Sequence, residues 1–134
     1  MTPHAALSLS RQITAAVWAM PGSGTLLSSL YSSALLDPDT RVYAWPNQGV
    51  LRIHPSAERA EMAMVWTSGT QSVRLWVDVE QTVLMPASGE APHPAALNTF
   101  LSCLSEMAAI GAGLPVPATQ KASHLRLVVD NTQA

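Results

Sequence analysis

The segment EMAMVWTSGTQSVRLWVDV, residues 61–79, decides the fold of this chain. In its second half, Val73, Leu75 and Val77 alternate with polar or aromatic residues, which is the period of a β-strand with one buried face. Its first half is apolar at both odd and even positions, as expected for a strand inside a sheet that is buried on both faces. Because residues 68–70 between the halves are typical of a turn, the two halves are predicted to pair as antiparallel strands.

A second hairpin is predicted just before this segment. Residues 41–45 and 50–54 have strand character, and PNQG at residues 46–49 supplies turn dihedrals. We expect Trp45 to pair with Val50, because this register puts one apolar and one mixed face on the sheet. The predicted mixed face, shared with the later strand, consists of Arg41, Tyr43, Trp45, Arg52, His54, Arg74 and Trp76. The predicted apolar face of this hairpin holds Val42, Ala44, Leu51 and Ile53.

Helical periodicity flanks the strands on both sides. Residues 1–36 carry two apolar stripes separated by a Pro-Gly break and predict a helical hairpin. Residues 94–111 begin with proline and carry the strongest stripe, which predicts one long helix, and residues 124–129 predict a final strand. The chain is therefore predicted to be a single α+β domain over residues 1–134. Its strands, most of them within residues 41–85, would form a mainly antiparallel sheet of four to six strands.

The long helix is expected to pack on the apolar side of the sheet. In the predicted register this side includes Val42, Leu51, Leu75 and Val77. The N-terminal helical hairpin would then lie at an end of the sheet or on a partner. Between Met1 and Leu36 the only charged residue is Arg11, so few ionic groups are available to face water.

The composition argues against several classes of partner. The formal net charge of the 134 residues is −2, so the long-range field of the protein does not concentrate it on nucleic acid. No stretch is long and apolar enough to span a membrane, which predicts a protein without a membrane anchor. A single cysteine cannot form an internal disulfide and suits a reducing compartment, so the expected location is the cytoplasm.

A low share of charged residues points to protein partners. Only 12% of the residues are charged while 48% are apolar, so part of the surface is expected to lie against another molecule. A homodimer is predicted, with Leu26, Leu30 and Tyr31 as candidates for self-association. Partner binding is assigned to five residues of the predicted mixed face, the contact set Tyr43, Trp45, Arg52, Arg74 and Trp76. Aromatic rings and guanidinium groups give large contact areas with few torsions to restrict.

No motif in the sequence indicates a reaction. The four histidines lack metal-ligand spacing, and Cys103 in mid-helix lacks the basic neighbour of a reactive thiolate, so no catalytic residue, metal or cofactor is predicted. The leading hypothesis is a non-catalytic protein-binding module that is chaperone-, adaptor- or inhibitor-like. One alternative is a ligand pocket or modest enzyme site between sheet and helix, with His54, Asp78 or Glu80 as its polar group. A second is a single-strand nucleic-acid binder that stacks bases on Tyr43, Trp45 and Trp76.

In size, mild acidity and helix-sheet-helix order, the chain resembles bacterial type III secretion chaperones. This resemblance implies a small dimer that binds an extended segment of another protein. The chain departs from that family because two helices precede an uninterrupted run of strands and a strand is predicted at its end. Small phage or plasmid inhibitors share the same profile of one compact domain without a catalytic signature.

Overall fold

The computed structural model describes residues 2–87 and 91–111, together with the backbone of residues 126–128. Three helices are α1 (Pro3–Trp18), α2 (Ser23–Leu36) and α3 (Pro94–Gly111). Six strands are β1 (Val42–Trp45), β2 (Gly49–Pro55), β3 (Glu61–Ser68), β4 (Gln71–Asp78), β5 (Val83–Pro86) and β6 (Arg126–Val128). The strands form one antiparallel sheet in the order β5-β4-β3-β2-β1-β6. The α+β class predicted from the sequence is confirmed.

The β3–β4 hairpin forms as residues 61–79 predict. Its register runs from Glu61 opposite Asp78 to Ser68 opposite Gln71, and Gly69 takes the left-handed backbone conformation, φ 60°, that the turn requires. Met62, Met64 and Trp66 are fully buried on one side of β3, whereas Ala63 and Val65 on the other side are half-buried. β3 is therefore an inner strand of the sheet with one covered and one partly open face.

The β1–β2 hairpin differs from the sequence prediction by one residue. Trp45 pairs with Gly49 instead of Val50, because the turn has three residues and Asn47 takes a φ of 63°. Since strand side chains alternate, a slip of one residue moves every side chain of β1 to the opposite face relative to β2. Tyr43 now lies across from Leu51, and Val42 lies across from Arg52.

Packing explains why Gly49 belongs to the strand and not to the turn. The indole of Trp66 lies directly against Gly49, where a Cβ atom would come within 2.6 Å of the Thr67 carbonyl oxygen and would overlap the ring. No side chain fits this position. Trp45 and Trp66 meet edge to face at 5.6 Å, and Trp66 stacks on Phe100 of α3 at 5.8 Å. The register is thus determined by three aromatic rings in one core.

All three helices contribute to that core, on one side of the sheet that we call the inner face. Its strand residues are Tyr43, Trp45, Gly49, Leu51, Ile53, Met62, Met64, Trp66, Val73, Leu75, Val77 and Leu84. From the helices, Ile13, Val17, Leu27 and Phe100 pack against them with exposures of 1% or less. The helical hairpin is therefore part of the core and does not stand at an end of the sheet. α3 packs on the predicted side, but Val42 and Ala44 lie on the other face.

Helix α1 also closes the free edge of strand β5. The Ser10 hydroxyl donates to the Leu84 carbonyl oxygen at 2.6 Å, and the Thr14 hydroxyl both donates to that oxygen and accepts from the Leu84 N–H at 3.0 Å. Pro86, two residues further along the strand, has no N–H. The edge of β5 therefore offers no free N–H at either position, which blocks the addition of another strand there.

Candidate functional site

The opposite side of the sheet, which we call the outer face, is the candidate site. Its side chains in strands β1 to β5 are Val42, Ala44, Val50, Arg52, His54, Glu61, Ala63, Val65, Thr67, Ser72, Arg74, Trp76, Asp78, Val83 and Met85. Each of these is exposed or half-buried except Val42, which is 5% exposed. On the inner face, by contrast, the following residues are at most 1% exposed: Leu51, Ile53, Met62, Met64, Trp66, Val73, Leu75 and Val77. Among the residues that the structure describes, no helix packs over this face. Within the described residues, the helices cover the inner face, whereas the outer face is open over strands β2 to β5.

Two arginines of the outer face, Arg52 and Arg74, lie in one row across strands β2 to β4, which we call the arginine row. Arg52 of β2 pairs with Val65 of β3, and Val65 pairs with Arg74 of β4. Since neighbouring strands are about 4.8 Å apart, the two arginines extend from backbone positions about 10 Å apart. Both side chains are exposed, and neither guanidinium forms a hydrogen bond or an ion pair within the described part of the chain. As far as the described residues go, both are available to bind carboxylate groups.

The acidic groups lie four residues away along the strands, in what we call the acid row. Glu61 of β3 and Asp78 of β4 are directly opposite each other, with both side chains half-buried. Carboxylates in such a pair repel each other. Each accepts one hydrogen bond, from Trp76 Nε1 at 3.4 Å and from the Gln81 N–H at 3.0 Å, respectively, but neither has a cationic partner among the described residues.

A central row lies between the two charged rows and is mainly apolar. It runs from His54 through Ala63 and Trp76 to Met85 across strands β2 to β5. Trp76 is half-buried and Met85 is 45% exposed. Near the β1–β2 turn, the face deepens into an open concavity of about 680 Å³ whose wall includes Val50, Arg52 and Thr67. A broad, partly apolar surface with separated charges is suited to contact with a protein.

The predicted contact set is divided between the two faces. Arg52, Arg74 and Trp76 lie together on the outer face. Tyr43 and Trp45 lie on the inner face, where Trp45 is 2% exposed and donates to Glu106 Oε2 at 3.2 Å. The expected register placed all five on one face and was wrong by one residue, so two of the five belong to the core.

The residues predicted for self-association also lie in or near the core. Leu30 is buried with an exposure of 4%, and Leu26 and Tyr31 are half-buried against the same cluster. The Tyr31 hydroxyl donates to the carbonyl oxygens of Ser56 and Arg59, at 2.7 and 2.9 Å. These contacts give all three residues a role within one chain.

The two alternative sites find little support in this arrangement. His54 and Asp78 lie on the outer face, on the side of the sheet away from α3, and Glu80 lies in the turn after β4, so these groups do not converge between sheet and helix. A stacking platform of three rings is not formed, because only Trp76 of the three lies on the open face. Within residues 2–87 and 91–111, no three metal-ligating side chains lie together.

Two polar side chains of α3, Cys103 and Glu106, contact the β1–β2 hairpin. Cys103 is buried, and its thiol lies 3.4 Å from Gln48 Oε1 in the hairpin turn. Burial, with a further contribution from the charge of Glu106, raises the pKa of the Cys103 thiol to about 12. A thiol with this pKa is protonated at neutral pH and is a poor nucleophile.

Glu61, Val65 and Met85 complete the outer face and were absent from the predicted contact set. The strict alternation of β4 could have predicted this face. Arg74 and Trp76 share one face, and side chains directly opposite on a neighbouring strand share that face too, so Ala63 and Val65 lie on it as well. The apolar pattern of β3 predicts that the side with Ala63 and Val65 is covered, but both residues are half-buried. Its partial exposure depends on the absence of a second helical layer among the described residues.

The fold and the outer face together define a two-layer α+β protein with helices on one side of an antiparallel sheet. No protein-family model, curated protein or solved structure matches the chain. No helix in the described ranges is long and apolar enough to cross a bilayer.

Proposed function

We propose that this protein is a non-catalytic, cytoplasmic protein-binding module that holds a partner protein against its outer face. The observation that carries the proposal is the combination of a half-buried indole with two exposed guanidinium groups that have no partner among the described residues, at Trp76, Arg52 and Arg74. Tryptophan and arginine are the residue types that most often dominate the binding free energy of protein interfaces. The module would act by occupying its partner, as a chaperone, adaptor or inhibitor does.

Rigidity of the sheet supports this proposal. Trp76 is held between Ala63 on β3 and Met85 on β5, and its indole N–H donates to Glu61. A side chain that is already oriented loses little conformational entropy on binding, so more of its contact energy contributes to affinity. The partner surface that fits is apolar at its centre and carries a carboxylate near the arginine row.

Site-specific photocrosslinking tests the proposal. The variant Met85→p-benzoylphenylalanine places a reactive group beside Trp76, and Leu36→p-benzoylphenylalanine at the end of α2, where Leu36 is 87% exposed, is the matched control. We expect irradiation in a lysate of the host to give a protein adduct of reproducible mass from position 85 and none of that mass from position 36.

The same adduct must depend on the indole. Adding Trp76→Ala should weaken binding by about 2 kcal/mol, roughly 30-fold in Kd, and reduce the yield of the adduct accordingly. Circular dichroism and thermal melting of this variant check that the fold is kept. An absent adduct at position 85, or a yield that is indifferent to Trp76→Ala in a folded variant, contradicts the proposed function.

A further inference from the structure

The distribution of charge on the outer face points to a particular partner. Across strands β2 to β4 this face carries two arginines and two acids, but the signs are segregated: Arg52 and Arg74 flank Val65, whereas Glu61 and Asp78 oppose each other. Glu61 and Asp78 face each other directly, whereas Arg52 and Arg74 are about 10 Å apart, and no ion pair joins the two rows within the described residues. Such a surface gains favourable charge contacts against a surface with the opposite order of charges.

A second copy of the same face has that opposite order. When two identical sheets pack face to face about a two-fold axis, the axis lies between them and parallel to both. If it runs along the central row, each arginine row lies over the acid row of the other copy. Arg74 of one copy then faces Asp78 of the other, twice by symmetry, because both residues lie on β4. Trp76 faces its own counterpart near the axis.

We infer that the occupant of the outer face is a second copy of this chain, in a sheet-to-sheet homodimer that pairs the arginine row of each copy with the acid row of the other. The inference rests on the proposed function and names its partner. It also replaces Leu26, Leu30 and Tyr31 as the self-association surface, since these residues pack within one chain.

The geometry of the sheet agrees with such a dimer. The 31 residues of strands β1 to β5, at about 3.3 Å per residue and about 4.8 Å between strands, give roughly 500 Å² of projected area per copy. The two copies together reach about 1,000 Å², the size from which specific interfaces begin. A two-fold axis across the strands keeps the strand directions of the two sheets aligned, which is the common way in which sheets stack.

Because the edge of β5 is closed, a second copy cannot associate by adding a strand there, and the outer face remains available for association. Many sheets associate by adding a strand at an edge, which needs free backbone groups. Here the hydroxyls of Ser10 and Thr14 occupy the outward groups of Leu84, and Pro86 has no N–H. Association through this edge would first require α1 to detach.

Charge exchange across the two-fold axis tests the inference. Purified full-length protein is examined by sedimentation equilibrium and native mass spectrometry from 1 to 100 μM, in wild-type form and as Arg74→Asp, Asp78→Arg and the double variant. We expect a dimer for the wild type, a dissociation constant at least about 30-fold higher for each single variant, and recovery to within about threefold for the double variant. Arg11→Asp, on the exposed side of α1, is the matched control and should remain dimeric.

Recovery by the double variant separates loss of the interface from loss of the fold, and circular dichroism of every variant checks the latter. A monomeric wild type at 100 μM overturns the inference. So does a dimer that tolerates both single variants, or one that the double variant fails to restore. If the Met85 photocrosslink then joins the chain to a different protein, the proposed function holds and only the second copy is wrong; without any adduct, both fail.

Discussion

The inner and outer faces of the sheet are built from the same strands with alternating side chains, yet they differ in burial and in helical coverage. On β4, Val73, Leu75 and Val77 are at most 1% exposed, whereas Arg74 and Trp76 between them lie on the open side. The first set stabilises the fold because three helices remove it from water. The second set is available for contact because no described helix lies over it. Burial, and not residue type alone, separates structure from function here.

The two tryptophans of the β3–β4 hairpin show the difference between the two faces most clearly. Trp66 on the inner face is fully buried, and Trp76 on the outer face is half-buried. Trp66→Ala removes the ring that packs against Gly49, Trp45 and Phe100 and should lower the free energy of unfolding by about 3–5 kcal/mol. Trp76→Ala should lower it by no more than about 1 kcal/mol.

Urea denaturation of both variants at one low protein concentration measures this difference, since dimer formation adds to the apparent stability at higher concentration. Equal losses for the two variants would remove the distinction between a covered and an open face. A large loss for Trp76→Ala alone would place the indole in a second core.

A backbone position tests how closely the inner face is packed. Gly49→Ala introduces a Cβ atom against the Thr67 carbonyl oxygen and the Trp66 ring, and should destabilise the protein by about 1–3 kcal/mol through overpacking. Gly24→Ala is the control, because nothing lies within 4 Å of its Cβ position and the site is helical. We expect this control to gain up to about 1 kcal/mol in the same denaturation experiment. A neutral Gly49→Ala would show that the hairpin can shift its register.

The contact of α1 with β5 tests whether the helical cover of the inner face also protects an edge. Thr14→Val keeps the shape of the side chain but leaves the Leu84 N–H without its acceptor, at an expected cost of about 1–2 kcal/mol. The same change at exposed Thr25 of α2 should stay within about 0.5 kcal/mol. Thermal melting measures both, and equal effects would mean that the Thr14 hydroxyl does not protect the edge.

The smallest effect on stability is expected from the Cys103 thiol, which lies against the β1–β2 turn. Because the pKa of Cys103 is raised from 9.0 to about 12 in the folded protein, the folded state retains this proton while the unfolded state loses it. The contribution of Cys103 to stability is therefore fully present below pH 9 and declines as the pH rises from 9 towards 12. Burial also raises the pKa of Tyr43, which acts in the same direction at high pH.

Comparison of wild type with Cys103→Ala isolates the thiol. The variant should lose less stability than the wild type between pH 8 and pH 10.5, as measured by urea denaturation at each pH. Parallel pH curves for the two proteins would mean that Cys103 does not titrate differently on folding.

Low charge in the sequence has two different outcomes in the structure. The solvent side of α2 is formed by serines, with Ser28, Ser29, Ser32 and Ser33 all exposed, so this helix faces water without ionic groups. The shortage of charges there does not call for a partner. On the outer face, by contrast, charged side chains are present and have no ionic partner in the part of the chain that the structure describes, which is the stronger reason to expect a bound molecule.

Sequence alone predicted the order and type of the three helices and of the main strands, because each segment carries its own periodicity and its own breaks. It left the number of strands at four to six, where the structure has six. It also predicted that Arg74 and Trp76 share a face, since alternation within one strand is a local property. What it could not determine was the relation between strands. Turns of three and of four residues were both compatible with Pro46–Gly49. Whether Gly49 belongs to the turn or to β2 decides which face of the sheet Tyr43 and Trp45 lie on.

Only the tertiary structure decided that question. The close approach of the Trp66 ring to Gly49, and its contacts with Trp45 and Phe100, join segments that are far apart in the chain, so no local pattern records them. The same holds for the covered and open faces, because the placement of all helices on one side follows from how their stripes share one core. Periodicity is local, whereas register and coverage depend on packing between distant segments.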